Sequence, residues 1–153
     1  MVKLSELPAH FRDGYLNMEL PSYDEAPWVS GPPLSERRVA VISTAGLHRR
    51  GDTPFADYDP SYRVIPGDTD MNDLVMSHLS TNFDRTGFYQ DVNTVLPIDR
   101  LRELVADGTI GSVAEHHFSF MGAAPPGAME PLARDLAGLL KQDSVNAVLL
   151  CPV

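Results

Sequence analysis

Apolar and polar positions alternate along the chain in runs that predict strands separated by helices. The run from residue 38 to residue 46 is apolar, rich in β-branched side chains and ends in small residues, which is typical of a fully buried strand. Similar runs at 62–65, 110–121 and 145–151 predict three further strands. Residues 73–78 fit either a short helix or a strand, and the pattern leaves both open.

Two segments show the 3.6-residue period of an amphipathic helix. The first, 97–107, starts with Pro97 and is followed by Gly108, which suit the first turn and the end of a helix. The second covers 129–141. The apolar positions are Ile98, Leu101, Leu104 and Val105 in the first, and Met129, Leu132, Ala133, Leu136, Leu139 and Leu140 in the second. Polar stretches at 47–61 and 80–96 predict loops.

This order of elements predicts an α/β fold with a mainly parallel sheet flanked by helices, in a three-layer flavodoxin-like or Rossmann-like arrangement. Ligands of such sheets bind at the carboxyl ends of the strands. Three segments are therefore expected to meet there and form a pocket: 43–48, 118–122 and 151–153. His78 is expected beside them.

The first 37 residues differ in composition from the rest and predict a proline-rich arm, with the α/β domain at 38–153. The prolines that define the arm are Pro21, Pro27, Pro32 and Pro33, and the aromatic residues between or before them are Tyr15, Tyr23 and Trp28. Proline at this density prevents regular structure, whereas aromatic side chains tend to bury. We expect the arm to pack on its own domain or on a second subunit, and the protein to be a homo-oligomer.

Composition narrows the function classes. The 153 residues carry a formal net charge of −9, which disfavours nucleic acid as a partner. No window approaches the roughly 20 apolar residues of a membrane span, and the first 15 residues lack the apolar run of a signal peptide. The single cysteine, Cys151, excludes an intrachain disulfide and favours the reducing cytoplasm.

Three residues carry the candidate catalytic chemistry. Cys151 closes a predicted strand and is either a nucleophilic thiol or a buried structural cysteine. His48 and His78 follow apolar segments and either protonate a leaving amine or are hydrogen-bonded structural residues. His116 and His117 are adjacent on a predicted strand and must point to opposite faces, so at most one is functional.

Candidate substrate-binding residues lie in three segments. The N–H groups around Ser43, Thr44 and Gly46 would hold a carboxylate, or the segment is only a tight turn. Arg85 would pair with a substrate carboxylate, or is a solvated surface charge. Phe120, Met121 and Gly122 would line the pocket or belong to the core. The acidic residues Asp68, Asp70 and Asp73 do not fit a calcium-loop spacing, and we predict no metal site.

Several ordered segments resemble a known family. They are residues 41–48, Asp68, 70–74, 77–79, 97–104, 110–114, 120–122 and 147–153, which include Ser-Thr-Ala-Gly-Leu-His, Ile-Asp-Arg-Leu-Arg-Glu-Leu and the closing Leu-Leu-Cys-Pro-Val. From about residue 34 onward the chain resembles the selenoprotein B family of glycine, sarcosine, betaine and D-proline reductases.

The resemblance implies a reaction. A selenocysteine or cysteine attacks the substrate carbon that bears nitrogen, the carbon–nitrogen bond breaks reductively, and a nearby cysteine resolves the product. It also implies an amino acid or amine substrate, a thiol reductant and, in the D-proline and glycine systems, a companion subunit whose pyruvoyl group activates the amine. No tightly bound cofactor is expected on this chain.

The family's redox motif follows a hydrophobic strand that ends in Pro-Val, as Pro152-Val153 does here. The resemblance therefore places the selenocysteine or cysteine just after Val153. A UGA codon taken as a stop, an engineered truncation and a natural variant without the motif are all compatible with this. Two other interpretations stay open: a cysteine-dependent amino-acid racemase or isomerase, although those normally use two opposed cysteines, and a non-catalytic assembly subunit.

Overall fold

The computed structural model describes residues 3–19, 22, 29–80 and 84–153, and the strands and helices from Arg38 onward form one α/β unit. The strands are β1 (Arg38–Ser43), β2 (Leu47–Arg49), β3 (Tyr62–Pro66), β4 (Leu74–Met76), β5 (Ser112–Val113), β6 (His116–Phe120) and β7 (Ala147–Cys151). The α-helices are α1 (Ala9–Leu16), α2 (Thr86–Gln90), α3 (Ile98–Ala106) and α4 (Pro126–Gln142). Short 3₁₀ turns cover Leu4–Glu6, Leu34–Glu36, Met71–Asp73 and Val92–Thr94.

Strand β1 is the centre of the main sheet. On one edge it pairs in parallel with β7, from Val39 opposite Ala147 to Ser43 opposite Cys151. On its other edge it pairs in parallel first with β5 and then with β6. The predicted neighbouring, parallel arrangement of the first and last strands is therefore confirmed.

The main sheet is mostly parallel and flanked by helices, as predicted, but it is mixed, and the flavodoxin-like or Rossmann-like arrangement stays a prediction. Strand β3 runs antiparallel to β6, and β2 pairs with β4 in a separate antiparallel ribbon. Residues 50–61 contain no crossover helix, and β3 accordingly returns in the direction opposite to β1. The predicted loop at 47–61 is confirmed for residues 50–61 but is wrong for 47–49, because the chain turns at Gly46 and starts a new strand with the buried Leu47 and His48.

Helices α3 and α4 confirm the two predicted amphipathic helices and cover opposite faces of the sheet. Ile98 and Leu101 of α3 belong to the core cluster that contains Val41 of β1. Leu136 of α4 packs with Phe118 and Phe120 of β6 on the other face. The undecided segment 73–78 contains β4, and the predicted loop 80–96 contains α2 and a 3₁₀ turn.

Strand β7 is not buried, contrary to the prediction. Val148, Leu149 and Leu150 are 41%, 39% and 66% exposed. Among the described residues β7 pairs with β1 alone, which leaves it at the edge of the sheet. The apolar sequence was typical of a central strand, but α4 packs over Phe118 and Phe120 and leaves β7 uncovered.

The N-terminal segment is more regular than its prolines indicated. Helix α1 occupies a stretch without proline, between Pro8 and Pro21, and it buries none of its residues. Tyr15 is 52% exposed, so its predicted packing is wrong within the described chain. Tyr23 and Trp28, the other aromatic residues of the predicted arm, lie outside the described residues.

A buried histidine accepts a hydrogen bond from the backbone of β1 where the strand pairing is interrupted. Between β5 and β6 the ladder on β1 is interrupted, and the N–H of Val41 donates to Nδ1 of His117 at 3.0 Å. Because Nδ1 accepts, the proton of the neutral ring sits on Nε2, which has no partner among the described residues. His117 is fully buried while His116 is half-buried, which confirms that the two side chains face opposite ways.

The charge state of His117 follows from its position. Burial, with a smaller contribution from Arg102, lowers its pKa from 6.5 to about 4, against the opposing effect of Asp143. His116 and Arg38 add further lowering. A neutral ring is what the bond to Val41 requires, since a protonated Nδ1 could not accept.

We expect His117→Ala to lower the free energy of unfolding by about 1–3 kcal/mol, since it leaves the buried N–H of Val41 without an acceptor. Urea denaturation at pH 7.5 measures this. His116→Ala, next to it on the opposite face, is the matched control and should cost clearly less. Equal losses for the two variants would contradict the role given to His117.

Acid should remove the contribution of neutral, buried His117 to the free energy of unfolding. The folded-state pKa of His117, about 4, lies below its ordinary value of 6.5, so the stabilisation is complete above pH 6.5 and is lost as the pH falls towards 4. The full change is on the order of 3 kcal/mol. His117→Gln should flatten this part of the stability profile relative to the unsubstituted chain. Parallel profiles over that range would count against the assignment.

Candidate functional site

Three parallel strands end at one edge of the sheet, which we call the carboxyl edge and define by Thr44, Gly122 and residues 151–153. The N–H of Thr44 donates to the carbonyl of Cys151 at 3.1 Å, which joins the end of β1 to that of β7. The N–H of Gly46 donates to the carbonyl of Phe120 at 2.8 Å, which joins the turn after β1 to β6.

The turn after β1 uses its N–H groups within the protein. Those of Thr44 and Gly46 bind the two carbonyls just described, that of Ala45 donates to Oγ of Ser43 at 3.2 Å, and that of Leu47 donates to Oγ of Ser119 at 2.8 Å. Each N–H has a single proton, so none of the four is left for a carboxylate in this conformation. The geometry favours the tight-turn alternative for this segment.

Glycine at position 46 brings the loop after β4 to the carboxyl edge. Gly46 has φ 66°, and a Cβ added there would lie 2.9 Å from the backbone nitrogen of His78. The N–H of Ser77 donates to the Gly46 carbonyl at 2.9 Å. Any side chain at position 46 would separate this loop from the end of β1.

His78 is buried and held by its own loop. Its Nδ1 accepts the N–H of Ser80 at 3.2 Å, and Arg85 donates from one guanidinium nitrogen to the carbonyls of His78 and Ser80. Burial first, and the charge of Arg85 second, lower the pKa of His78 below 6.5. The ring is therefore neutral at neutral pH, with its proton on Nε2 because Nδ1 accepts from Ser80, while Arg85 stabilises the loop.

His48 lies beneath the surface and reaches it through a serine. Its Nδ1 lies 3.0 Å from the carbonyl of Arg49, which can only accept, so Nε2 accepts the hydroxyl proton of Ser77 at 2.7 Å. His48 is 4% exposed and Ser77 is half-buried. Ser77 was not among the predicted site residues. In the sequence it stood within the segment 77–79 that carries part of the family resemblance, with no role assigned to its hydroxyl.

Cys151 pairs with Ser43 at the end of β7, and its side chain packs against the main core cluster. It is half-buried, and burial raises the pKa of its thiol. A raised pKa keeps the thiol protonated at neutral pH, which disfavours nucleophilic attack. The environment is that of the structural alternative.

The predicted site residues are close together but mostly covered. Those that are buried are Ser43, Gly46, His48, His78, Phe120 and Met121, whereas Thr44, Arg85 and Cys151 are half-buried and Gly122 is exposed. Two clefts, of about 360 and 350 Å³, lie near the amino ends of the parallel strands and share Glu115 and His116. The pocket expected at the carboxyl edge stays a prediction.

The acidic residues 68–73 act in local turns. Asp70 accepts the N–H of Asn72 at 2.9 Å, which caps the 3₁₀ turn before β4. Within the described ranges no three His, Cys, Asp or Glu side chains lie close enough to share a metal ion. None of the helices in the described part of the chain is both long and apolar enough to cross a membrane.

Comparison with known proteins agrees with the resemblance found in the sequence. Residues 20–152 match the family described as glycine/sarcosine/betaine reductase selenoprotein B. The chain belongs to this family. No solved structure matches it significantly.

Curated relatives of this family member are subunits of reductase complexes. The D-proline reductase subunit gamma of Acetoanaerobium sticklandii is 36% identical over 120 residues, which covers 76% of this chain and 49% of that protein. The glycine reductase complex component B subunit gamma of Symbiobacterium thermophilum is 29% identical over 141 residues, which covers 86% of this chain and 32% of that protein. The sarcosine reductase complex component B subunit beta of Peptoclostridium acidaminophilum is 26% identical over 122 residues, covering 76% and 28%. The chain thus spans half or less of these relatives.

We expect Cys151 to react slowly with iodoacetamide at pH 7, at least about tenfold slower than in the urea-unfolded chain, because little thiolate forms in the fold. Mass spectrometry is unambiguous here, since the chain has one cysteine. Alkylation of the folded chain at the unfolded rate would show an activated thiol and contradict this.

Proposed function

We propose that this chain is a component of a selenol- or thiol-dependent reductase that cleaves a carbon–nitrogen bond of an amino acid or related amine. The observation that supports this best is the carboxyl edge, where Thr44, Gly122 and Cys151 are held together by backbone contacts in a member of this reductase family. The names of the relatives point to glycine, sarcosine, betaine or D-proline as the substrate class.

The redox group is proposed to follow Val153 or to come from a partner, with Cys151 in a packing role. Reductive cleavage consumes two electrons and two protons: the carbon–nitrogen bond breaks, and carbon and nitrogen each gain a hydrogen. The electrons come from two thiols, which become a disulfide, or from a selenol and a thiol, which become a selenenyl sulfide. One cysteine cannot supply both electrons in this way. The raised pKa of Cys151 further disfavours it as the attacking group.

The two histidines are proposed to move protons at this edge. His78 is neutral, and its Nδ1 can take the proton of a selenol or thiol when the hydrogen bond from the Ser80 N–H opens, then return that proton to the leaving amine. His48 is nearly inaccessible, and within the described residues its ring contacts the half-buried Ser77 hydroxyl, through which it would act on a ligand. Arg85, next to His78, supplies positive charge that favours a substrate carboxylate.

The partners are proposed to be a companion reductase subunit, one carrying the amine-activating pyruvoyl group, and a thiol reductant. The apolar side chains of β7 and α1 that remain exposed favour association with other protein, including a second copy. The same exposure is what supports the second candidate function, a non-catalytic assembly subunit. A racemase is disfavoured by the raised pKa of Cys151, which keeps this thiol protonated at neutral pH.

The test uses a chain carried on past Val153 through a cysteine or selenocysteine motif, with companion subunit and dithiothreitol, and measures amine release from the four candidate substrates. We expect His78→Gln to lower kcat by about a hundredfold or more, as the loss of an acid–base group does. His10→Ala, an exposed histidine on α1, is the control and should not change turnover.

Two outcomes would overturn the proposal. If no substrate is turned over with any companion subunit, the reductase role is excluded. If a correctly folded His78→Gln chain keeps full turnover, the proton-transfer role of His78 is excluded. The 153-residue chain itself should show little turnover. Strong activity from it with dithiothreitol alone would instead make Cys151 the leading nucleophile.

A further inference from the structure

Thr44 binds the chain on both sides of Pro152. Its N–H donates to the carbonyl of Cys151 at 3.1 Å, and its Oγ1 accepts the N–H of Val153 at 2.8 Å. Proline has no N–H, so the ladder between β1 and β7 would otherwise stop at Cys151. The threonine hydroxyl therefore extends the attachment of the chain by two residues beyond the strand.

Gly122 fixes the side chain that makes this contact. Its φ is 85°, and a Cβ added to it would lie 2.9 Å from Cβ of Thr44 and 3.1 Å from the Thr44 carbonyl oxygen. The backbone after β6 thus lies directly against the threonine, at a distance that only glycine permits. A side chain at position 122 would therefore displace the half-buried Thr44.

Val153 is also held from its other side. Its side chain packs against the core cluster that contains Val41 and Leu47. With the N–H bound by Thr44 and the side chain in the core, both the position and the direction of the backbone at Val153 are fixed. Such double anchoring is unusual for residues that merely follow an edge strand, where the chain is expected to fray.

We propose that Thr44 is a positioning residue, which sets the place and direction of the polypeptide leaving β7 at Val153. This inference rests on the proposed function, in which the redox group stands next to Val153. Thr44 was expected to bind substrate, but its hydroxyl is used on the chain itself. Reacting groups need placement to within a fraction of an ångström, and a displacement of about 1 Å costs on the order of a hundredfold in rate.

The first experiment examines the anchoring in the 153-residue chain. Thr44→Val keeps the shape and removes the hydroxyl, whereas Thr44→Ser keeps the hydroxyl. We expect amide exchange of Val153, followed by NMR, to be about tenfold faster in Thr44→Val and nearly unchanged in Thr44→Ser. The amide of Val41, buried and bound to His117, should exchange slowly in all three chains and reports correct folding.

If Thr44→Val does not fold, Thr44→Ala removes the same hydroxyl with a smaller side chain and takes its place. Unchanged Val153 exchange in the folded hydroxyl-free variant would overturn the anchoring.

The second experiment examines the function of the anchoring in the chain carried past Val153. We expect Thr44→Val to lower kcat at least about tenfold while KM stays within about twofold, and Thr44→Ser to restore kcat. A raised KM with unchanged kcat would show that Thr44 binds substrate and would overturn the positioning role. No turnover from the unsubstituted chain would overturn the proposed function and the redox role with it, while the exchange result still decides on the anchoring.

Discussion

Strand β1 forms hydrogen bonds along both of its edges, and the rest of the sheet depends on its register. On one side five consecutive residues, Val39 to Ser43, align with β7. On the other, β5 and β6 share the edge, and His117 fills the position between them by accepting from Val41. A slip of one residue would exchange the faces of Val41 and Ile42, and with them the two core clusters. The carboxyl edge exists because all the parallel strands are aligned on this one.

The sequence was sufficient to predict an element where its periodic pattern of apolar residues was long. Helices α3 and α4 follow from apolar faces that can be recognised locally. The pairing of β1 with β7 was predicted from two apolar runs in an alternating order of strands and helices, although β7 itself is exposed. The ribbon of β2 and β4 could not be predicted, since each strand has three residues and its partner lies more than 20 positions away. The exposure of β7 was missed for a related reason: its apolar residues do not reveal whether anything covers them.

The meeting of Thr44, Gly122 and Cys151 could be predicted because it is a consequence of parallel strands alone. The hydrogen-bond partners of the polar groups at this edge could not be predicted. The turn N–H groups find acceptors in Phe120 and Ser119, which only the folded sheet brings near. Ser77 was overlooked because a serine after a strand is common, and its importance comes from the Nε2 of His48 at 2.7 Å.

The open edge of β7 should make the association of copies of this chain depend on ionic strength. Strand β7 carries neither charge nor proline, the features by which edge strands usually prevent pairing with another sheet. The net charge of −9 makes two copies of this chain repel each other. At physiological salt that repulsion fades beyond about 8 Å, and at 1 M salt beyond about 3 Å. Since no described segment pairs with the free edge of β7, we expect dilute buffer to keep copies apart and concentrated salt to favour pairing of this edge between them.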